Sequence, residues 1–163
     1  MSYDSVNMHS AEITIRRMAH ADIVAVVGIE QRVQGAPHWP RSVYEEALQV
    51  GSPRPRLALV ACVSTPAEVV GFAIVNLIAP EAELETIAVD EPAQRSGIGS
   101  RLLSAIIEEL REQGITDLHL EVRASNLPAI RFYESKNFKK IGVRRGYYAD
   151  SEEDADLMLL HIP

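Results

Sequence analysis

The stretch Gln94-Arg95-Ser96-Gly97-Ile98-Gly99 joins a strand-like run, Ala82 to Val89, to the strongest amphipathic pattern in the chain. From Gly97 to Gln113 the apolar residues Ile98, Leu102, Ile106 and Leu110 recur every four positions, joined by Leu103 and Ile107. Glu108, Glu109, Arg111 and Glu112 mark a solvated side. That period predicts an α-helix, with Gly114 as its C-cap. A helix N-terminus presents unpaired N–H donors and a partial positive charge, and so attracts anions. Two glycines two positions apart let a bulky diphosphate approach the backbone, and Arg95 adds a formal charge. A P-loop would need Gly-Lys-Ser/Thr after its spacer, and no lysine lies here. A dinucleotide fingerprint would need a third glycine, where position 102 is leucine. Taken alone, a Gly-x-Gly pair is equally compatible with a turn that binds nothing.

Outward from this turn, alternation and breaker residues divide the rest of the chain. Ile13 and Ile15 alternate with polar neighbours as in a half-buried strand. Ala21 to Val33 reads as a helix with Ile23, Val26, Val27 and Ile29 inward, and Gly35 to Pro40 as a loop. Arg41 to Val50 reads as a second helix, with Ser42 as N-cap and Glu45 three residues on. Leu57 to Val63 and Val69 to Ile78 read as strands joined by a turn at Ser64-Thr65-Pro66-Ala67. Leu118, Leu120 and Val122 alternate with His119, Glu121 and Arg123 in a further strand. Asn126 to Lys136 reads as a short helix with Pro128 in its first turn, where proline is tolerated. Ile141 to Arg145 and Asp156 to Ile162 form the last two strands. The sum is an α+β or mixed α/β domain of six or seven strands and about four helices. The middle strands follow one another as hairpins, which disfavours a doubly wound sheet. Residues 1–10 are polar and are expected to form a disordered tail, with one domain over 11–163.

Composition narrows the function classes. With 163 residues, 47% hydrophobic and 24% charged, the chain matches an ordinary globular domain with a sizeable core. No apolar run approaches the ~20 residues of a membrane span, and Met1-Ser2-Tyr3-Asp4 does not open a signal peptide. The single cysteine, Cys62, excludes an internal disulfide, and its apolar surroundings predict a small buried core residue. These readings together imply a cytoplasmic protein. A net charge of −7 argues against nucleic-acid binding and suits a cationic substrate, although it is also what simple solubility requires.

The sequence Thr86-Ile87-Ala88-Val89-Asp90 followed by Gln94-Arg95-Ser96-Gly97-Ile98-Gly99-Ser100 resembles the pyrophosphate-binding motif of the GNAT N-acetyltransferase superfamily. Leu120-Glu121-Val122-Arg123-Ala124-Ser125-Asn126, Arg131-Phe132-Tyr133-Glu134 and Arg144-Arg145-Gly146-Tyr147-Tyr148 resemble, within it, the bacterial ribosomal-protein-alanine N-acetyltransferases. The resemblance runs from about Ile13 to the C-terminus and is strongest from Glu85 to Tyr148. It implies a central, mostly antiparallel sheet and acetyl-CoA as co-substrate, with no metal. Carried over by position, the cofactor contacts are Ile87, Ala88, Val89, Arg95, Ser96, Gly97, Ile98, Gly99, Ser100 and Asn126. Some relatives carry Arg or Lys at position 100, where serine here puts a hydroxyl in place of a charge.

Acetyl transfer requires a neutral amine, a polarised thioester and a proton for the departing thiolate. An α-amine, with a reference pKa of about 7.7–8.0 against about 10.4 for lysine, is partly neutral near physiological pH, so a weak base suffices. By strand alternation alone, Glu121 belongs to a half-solvated face with His119 and Arg123; the resemblance makes it the general base. Tyr133, seven residues after Asn126, shares its side of a helix and reads by itself as a core aromatic; the resemblance makes it the acid. His119 is read as packed or exposed, with an assisting role left open. Asp150, Glu152, Glu153, Asp154 and Asp156 read as a solvated acidic loop, and the resemblance sets this region beside Tyr147 and Tyr148 at a peptide groove. Glu30 and the Trp39 loop are expected to form the opposite wall. The implied acceptor is a protein N-terminus, basic in character, on a small-subunit ribosomal protein, with no nucleic-acid or membrane partner. A lysine or small amine as acceptor, and a non-catalytic acyl-CoA-binding subunit, remain alternatives.

Overall fold

A computed structural model describes residues 12–64 and 67–163. The expected tail over residues 1–10 and the Thr65-Pro66 part of the first hairpin turn lie outside them. The described residues form strands β1 (Ile13–Arg17), β2 (Arg56–Ser64), β3 (Ala67–Ile78), β4 (Glu81–Val89), β5 (Asp117–Arg123), β6 (Lys139–Tyr148) and β7 (Glu153–His161). The helices are α1 (Ile23–Arg32), α2 (Arg41–Ala47), α3 (Ile98–Glu112) and α4 (Leu127–Ser135), with single 3-10 turns at His20–Asp22 and Glu91–Ala93. The strands make one seven-stranded sheet in the order β1-β2-β3-β4-β5-β7-β6. The β1–β2, β5–β7 and β6–β7 pairs are antiparallel and β4–β5 is parallel, so the sheet is mixed where a mostly antiparallel one was expected, with antiparallel pairs in the majority of these. By contact density the chain forms two compact units: one holds the described residues up to Ile74 with Thr86–Ile106, the other Val75–Glu85 with Ile107–Pro163.

In the first unit the core gathers Ile23, Val26 and Ile29 of α1, Tyr44 of α2, Val60 of β2, and Phe72 and Ile74 of β3. Tyr44 meets Phe72 edge to face at 5.7 Å, a favoured aromatic geometry. The positions expected to point inward from α1 do so, but the helix proper starts at Ile23. The Asp22 carboxylate takes both Arg16 nitrogens at 2.7 and 2.9 Å and the Ala19 N–H at 2.8 Å, which tightens the preceding residues into the 3-10 turn. Arg16 accordingly holds the Asp22 carboxyl below its usual range.

Gly71 of β3 sets the approach of α3. A side-chain carbon there would lie 3.0 Å from the Ala88 carbonyl oxygen and 3.4 Å from both Ile98 and Leu102. The missing Cβ therefore lets the first turns of α3 press against β3 and β4. Ile98, Leu102, Leu103, Ile106 and Leu110 are all buried, and each contributes about 1.5–3 kcal/mol.

In the second unit α3 ends as the sequence predicts. Gly114 adopts a φ of 74°, and the Ile115 N–H reaches back to the Leu110 carbonyl at 2.9 Å. On β5, Leu118, Leu120 and Val122 are buried while Asp117, His119, Glu121 and Arg123 share the half-buried face.

Three expectations are corrected. The N-cap of α2 is Pro40, not Ser42: its carbonyl accepts the Val43 N–H at 3.0 Å, while Glu45 pairs with Arg41 at 2.7 Å, and the helix stops at Ala47. Cys62 is half-buried, because it lies opposite Thr14 of the edge strand β1, beside Arg16. The last two strands are longer than their apolar residues suggested, and Glu153 and Asp154 belong to β7 with Asp156, not to a loop.

Candidate active site

The turn that opens α3 is held from within. The Asp90 N–H donates to the Val70 carbonyl at 2.8 Å as β4 ends, and the Asp90 carboxylate receives Arg32 at 3.0 and 3.2 Å. The Gln94 amide donates to the Val89 carbonyl at 2.9 Å, and the Ser96 hydroxyl to the Ala93 carbonyl. Arg95 and Gly97 both lie in the left-handed region, at φ 63° and 82°. The Gly97 carbonyl accepts the Arg101 N–H at 3.0 Å, the first hydrogen bond of α3. The N–H groups of Ile98, Gly99 and Ser100 thus belong to the first helical turn, which has no intrahelical acceptors. A side-chain carbon at Gly97 would meet no heavy atom within 4 Å, so the turn is open at that position. Backbone donors without intrahelical acceptors at a helix N-terminus suit a diphosphate. On β4, Ala88 is buried, whereas Ile87 and Val89 alternate onto the half-buried face.

The second unit brings ionisable and aromatic groups onto one face. Glu121 on β5 has a side chain only 16% exposed, and its Oε1 lies 3.3 Å from Arg144 Nε of β6. The Tyr147 hydroxyl donates to Glu121, which, with burial, pushes the Tyr147 pKa up to about 12. The Arg144 guanidinium also lies 5.5 Å from the Tyr147 ring centre. Glu83 of β4 pairs in register with His119, and burial together with the negative charges of Glu121 and Glu85 raises its pKa. His119 Nε2 lies 3.6 Å from Glu81 Oε2.

Tyr133 is buried on α4, with Phe132 and Phe138 at ring distances of 5.3 and 5.5 Å. Burial, with a smaller contribution from Tyr148, raises its pKa well above the usual phenol range, so the hydroxyl keeps its proton. Asn126 is the N-cap of α4, its Oδ1 accepting the Ala129 N–H at 3.3 Å. That cap engages the oxygen, and the amide also carries two N–H donors.

The acidic run is a brace. Asp150 and Glu153 flank the Arg123 guanidinium at 2.9 and 3.5 Å, and Glu153 also accepts the Ser125 N–H at 2.7 Å. Asp154 accepts the Gly146 N–H at 2.9 Å, and Asp156 pairs with Lys140 at 3.1 Å. Arg123 also stacks 4.0 Å over Tyr148. Of the expected opposite wall, Glu30 is buried beneath the loop that carries Trp39. Glu30 is 1% exposed, and its carboxylate anchors the loop by accepting the Trp39 N–H at 3.1 Å, with His38 Nδ1 at 3.8 Å. A carboxylate so buried needs such partners to offset its lost hydration.

Arg144 and Glu83, which a reading of single residues passed over, thus join Glu121 through strand register. For Glu83 the signal in the sequence is its face: it sits between buried Ala82 and Leu84, on the same phase as Glu81 and Glu85.

Among the described residues, no helix is long and apolar enough to cross a membrane. The family model for the acetyltransferase (GNAT) family matches residues 26–138. The chain is 38% identical to the [ribosomal protein bS18]-alanine N-acetyltransferase of Escherichia coli (strain K12) over 151 residues, which cover 91% of this chain and 97% of that one. It is 49% identical over 74 residues to an N-alpha-acetyltransferase of Saccharolobus solfataricus, covering 45% of this chain and 44% of that one. The crystal structure of the Escherichia coli ribosomal-protein-S18-alanine N-acetyltransferase matches with a TM-score of 0.81 and 37% identity, over 93% of this chain and 94% of that one. GNAT enzymes take their acetyl group from acetyl-CoA. With that fold and that identity along nearly its whole length, the chain belongs to the GNAT acetyltransferase family and is an acyltransferase.

Proposed function

We propose that this protein acetylates the N-terminal α-amine of a protein, with an alanine- or serine-initiated small-subunit ribosomal protein as acceptor and acetyl-CoA as donor. The identity of 38% over 91% of the chain to an enzyme that acts on the N-terminal alanine of a ribosomal protein carries this reading. The N–H groups of Ile98, Gly99 and Ser100, with Arg95, Ser96 and Gly97, hold the pyrophosphate. The backbone of Ile87, Ala88 and Val89 and the Asn126 amide hold the pantetheine arm. When bound, acetyl-CoA supplies an activated thioester.

Glu121 removes a proton from the acceptor amine, and its half-buried carboxylate beside Arg144 and Tyr147 supports that role. Tyr133 returns a proton to the leaving thiolate; burial keeps its phenol protonated at neutral pH, as an acid there requires. Tyr147 and Tyr148, on a hairpin braced by Arg123, form one wall of the acceptor groove. A basic peptide acceptor in the cytoplasm, with no nucleic acid or membrane involved, fits the net charge of −7. The test is turnover of acetyl-CoA over a panel of N-terminal peptides, with the acetylated atom located by mass spectrometry. Acetyl groups on the α-amine of Ala- or Ser-initiated peptides are expected; acetylation confined to lysine side chains excludes the proposal.

A further inference from the structure

We propose that Glu83 receives the proton that Glu121 removes from the acceptor amine, and that His119 and Glu81 pass it to solvent. The inference rests on Glu121 being the base, and it gives a role to three side chains that the reading above leaves idle. Acetylating an ammonium group forms one N–C bond, breaks the C–S bond and strips two protons from nitrogen. One of these ends on the thiol of CoA. The other must leave, and Glu121 is ready for the next turnover only when it has gone.

The geometry provides the route. Glu81 and Glu83 lie two apart on β4, and His119 and Glu121 two apart on β5, all on the half-buried face of their strands. Parallel pairing sets Glu83 directly opposite His119. Neighbouring strands lie about 4.8 Å apart and same-face positions about 6.6 Å apart along a strand, so the flexible Glu83 and Glu121 side chains can meet across the diagonal. His119 Nε2 is buried without a hydrogen bond, yet lies 3.6 Å from Glu81 Oε2, whose side chain is 57% exposed. The series therefore starts at a carboxylate 16% exposed and ends in water.

The charges around Glu83 suit a proton in transit. Burial raises its proton affinity first, then Glu121 of β5 and Glu85 of its own strand; Arg144 of β6 and His119 of β5 oppose them. Its other neighbour strand, β3, carries no ionisable side chain from Val69 to Ile78. A carboxyl group biased toward its protonated form is better matched to an imidazole partner than an ordinary one.

The experiment measures turnover of acetyl-CoA with an Ala-initiated peptide by the full chain, its Glu83→Gln and His119→Gln variants, and Glu121→Gln. Each is assayed from about pH 6 to 9, at low buffer and with added imidazole as a diffusible proton carrier. At low buffer Glu83→Gln should lose about tenfold in kcat, less than the 10²-fold or more expected of the base itself, with the KM for acetyl-CoA unchanged. Imidazole should restore this loss and that of His119→Gln while leaving the wild type unaffected. A merely structural defect would not respond to a proton carrier. Wild-type turnover by Glu83→Gln at every pH, or a loss that imidazole does not repair, overturns the relay. If Glu121→Gln is inactive while Glu83→Gln is normal, only the relay falls; if Glu121→Gln turns over normally, the base assignment falls with it.

Discussion

The turn before α3 and the face around Glu121 are built in opposite ways. The turn works through its backbone: N–H donors, two residues in the left-handed region, and a strand end held by Val70, Asp90 and Gln94. The face works through side chains, and its members come from β4, β5 and β6, up to 61 positions apart from Glu83 to Arg144. A backbone device depends on conformation and tolerates many side chains. A side-chain cluster depends on identity, and one lost atom removes its chemistry.

Kinetics can break this contrast. Glu121→Gln keeps the shape and removes the proposed base, so kcat should fall about 10³-fold while acetyl-CoA affinity, measured by calorimetry, holds. Unchanged turnover would sink the assignment. Tyr133→Phe should cost about 10²-fold in kcat. Because the Tyr133 phenol is raised above its ordinary value of about 10, it stays protonated as pH rises, and the wild-type rate should show no loss from phenol ionisation below about pH 10. A basic limb near pH 8 that disappears in Tyr133→Phe would contradict this.

The turn should answer differently. Gly97→Val meets no neighbour but forces a β-branched residue to a φ of 82°, a strain of about 1–2 kcal/mol. Stopped-flow and steady-state assays should show the KM for acetyl-CoA rising about tenfold with kcat kept. A fall in kcat alone would mean that the turn also orders the reacting groups. Asp150→Asn should have the smallest effect. Arg123 already pairs with that carboxylate, so the preference for basic over neutral peptides, as a ratio of kcat/KM, should change less than about twofold. A larger change would restore the acidic run as a substrate contact.

The same contrast explains what the sequence made legible. Gln94 to Gly99 lies within six residues, its helix shows an unbroken period, and Gly114 marks where that helix stops, so local physics fixes all three. Glu121 and Tyr133 became candidates only through resemblance, because strand alternation alone makes Glu121 a solvated face and helix periodicity makes Tyr133 a core aromatic. Glu83 and Arg144 depend on register between strands that are not adjacent in sequence, which periodicity does not encode. Ser42 misled because its side chain suits a cap, whereas Pro40, already extended at ψ 154°, takes that position. The acidic run misled because charge in a sequence does not reveal its partner: Arg123 pairs with Asp150 and Glu153, Lys140 with Asp156, and Asp154 accepts the Gly146 N–H.

The Arg123 brace carries a cost-saving consequence for recognition. A groove wall carried on a slack hairpin would have to be ordered anew for each acceptor, and that lost freedom would subtract from affinity. Asp150, Glu153 and Asp154 fasten the β6–β7 connection, so that in the proposed groove Tyr147 and Tyr148 would meet a peptide already oriented. The fastening is electrostatic and largely exposed, and dissolved ions weaken such pairs. Rising salt should therefore loosen the grip on every acceptor, including peptides that carry no charge beyond the amine itself.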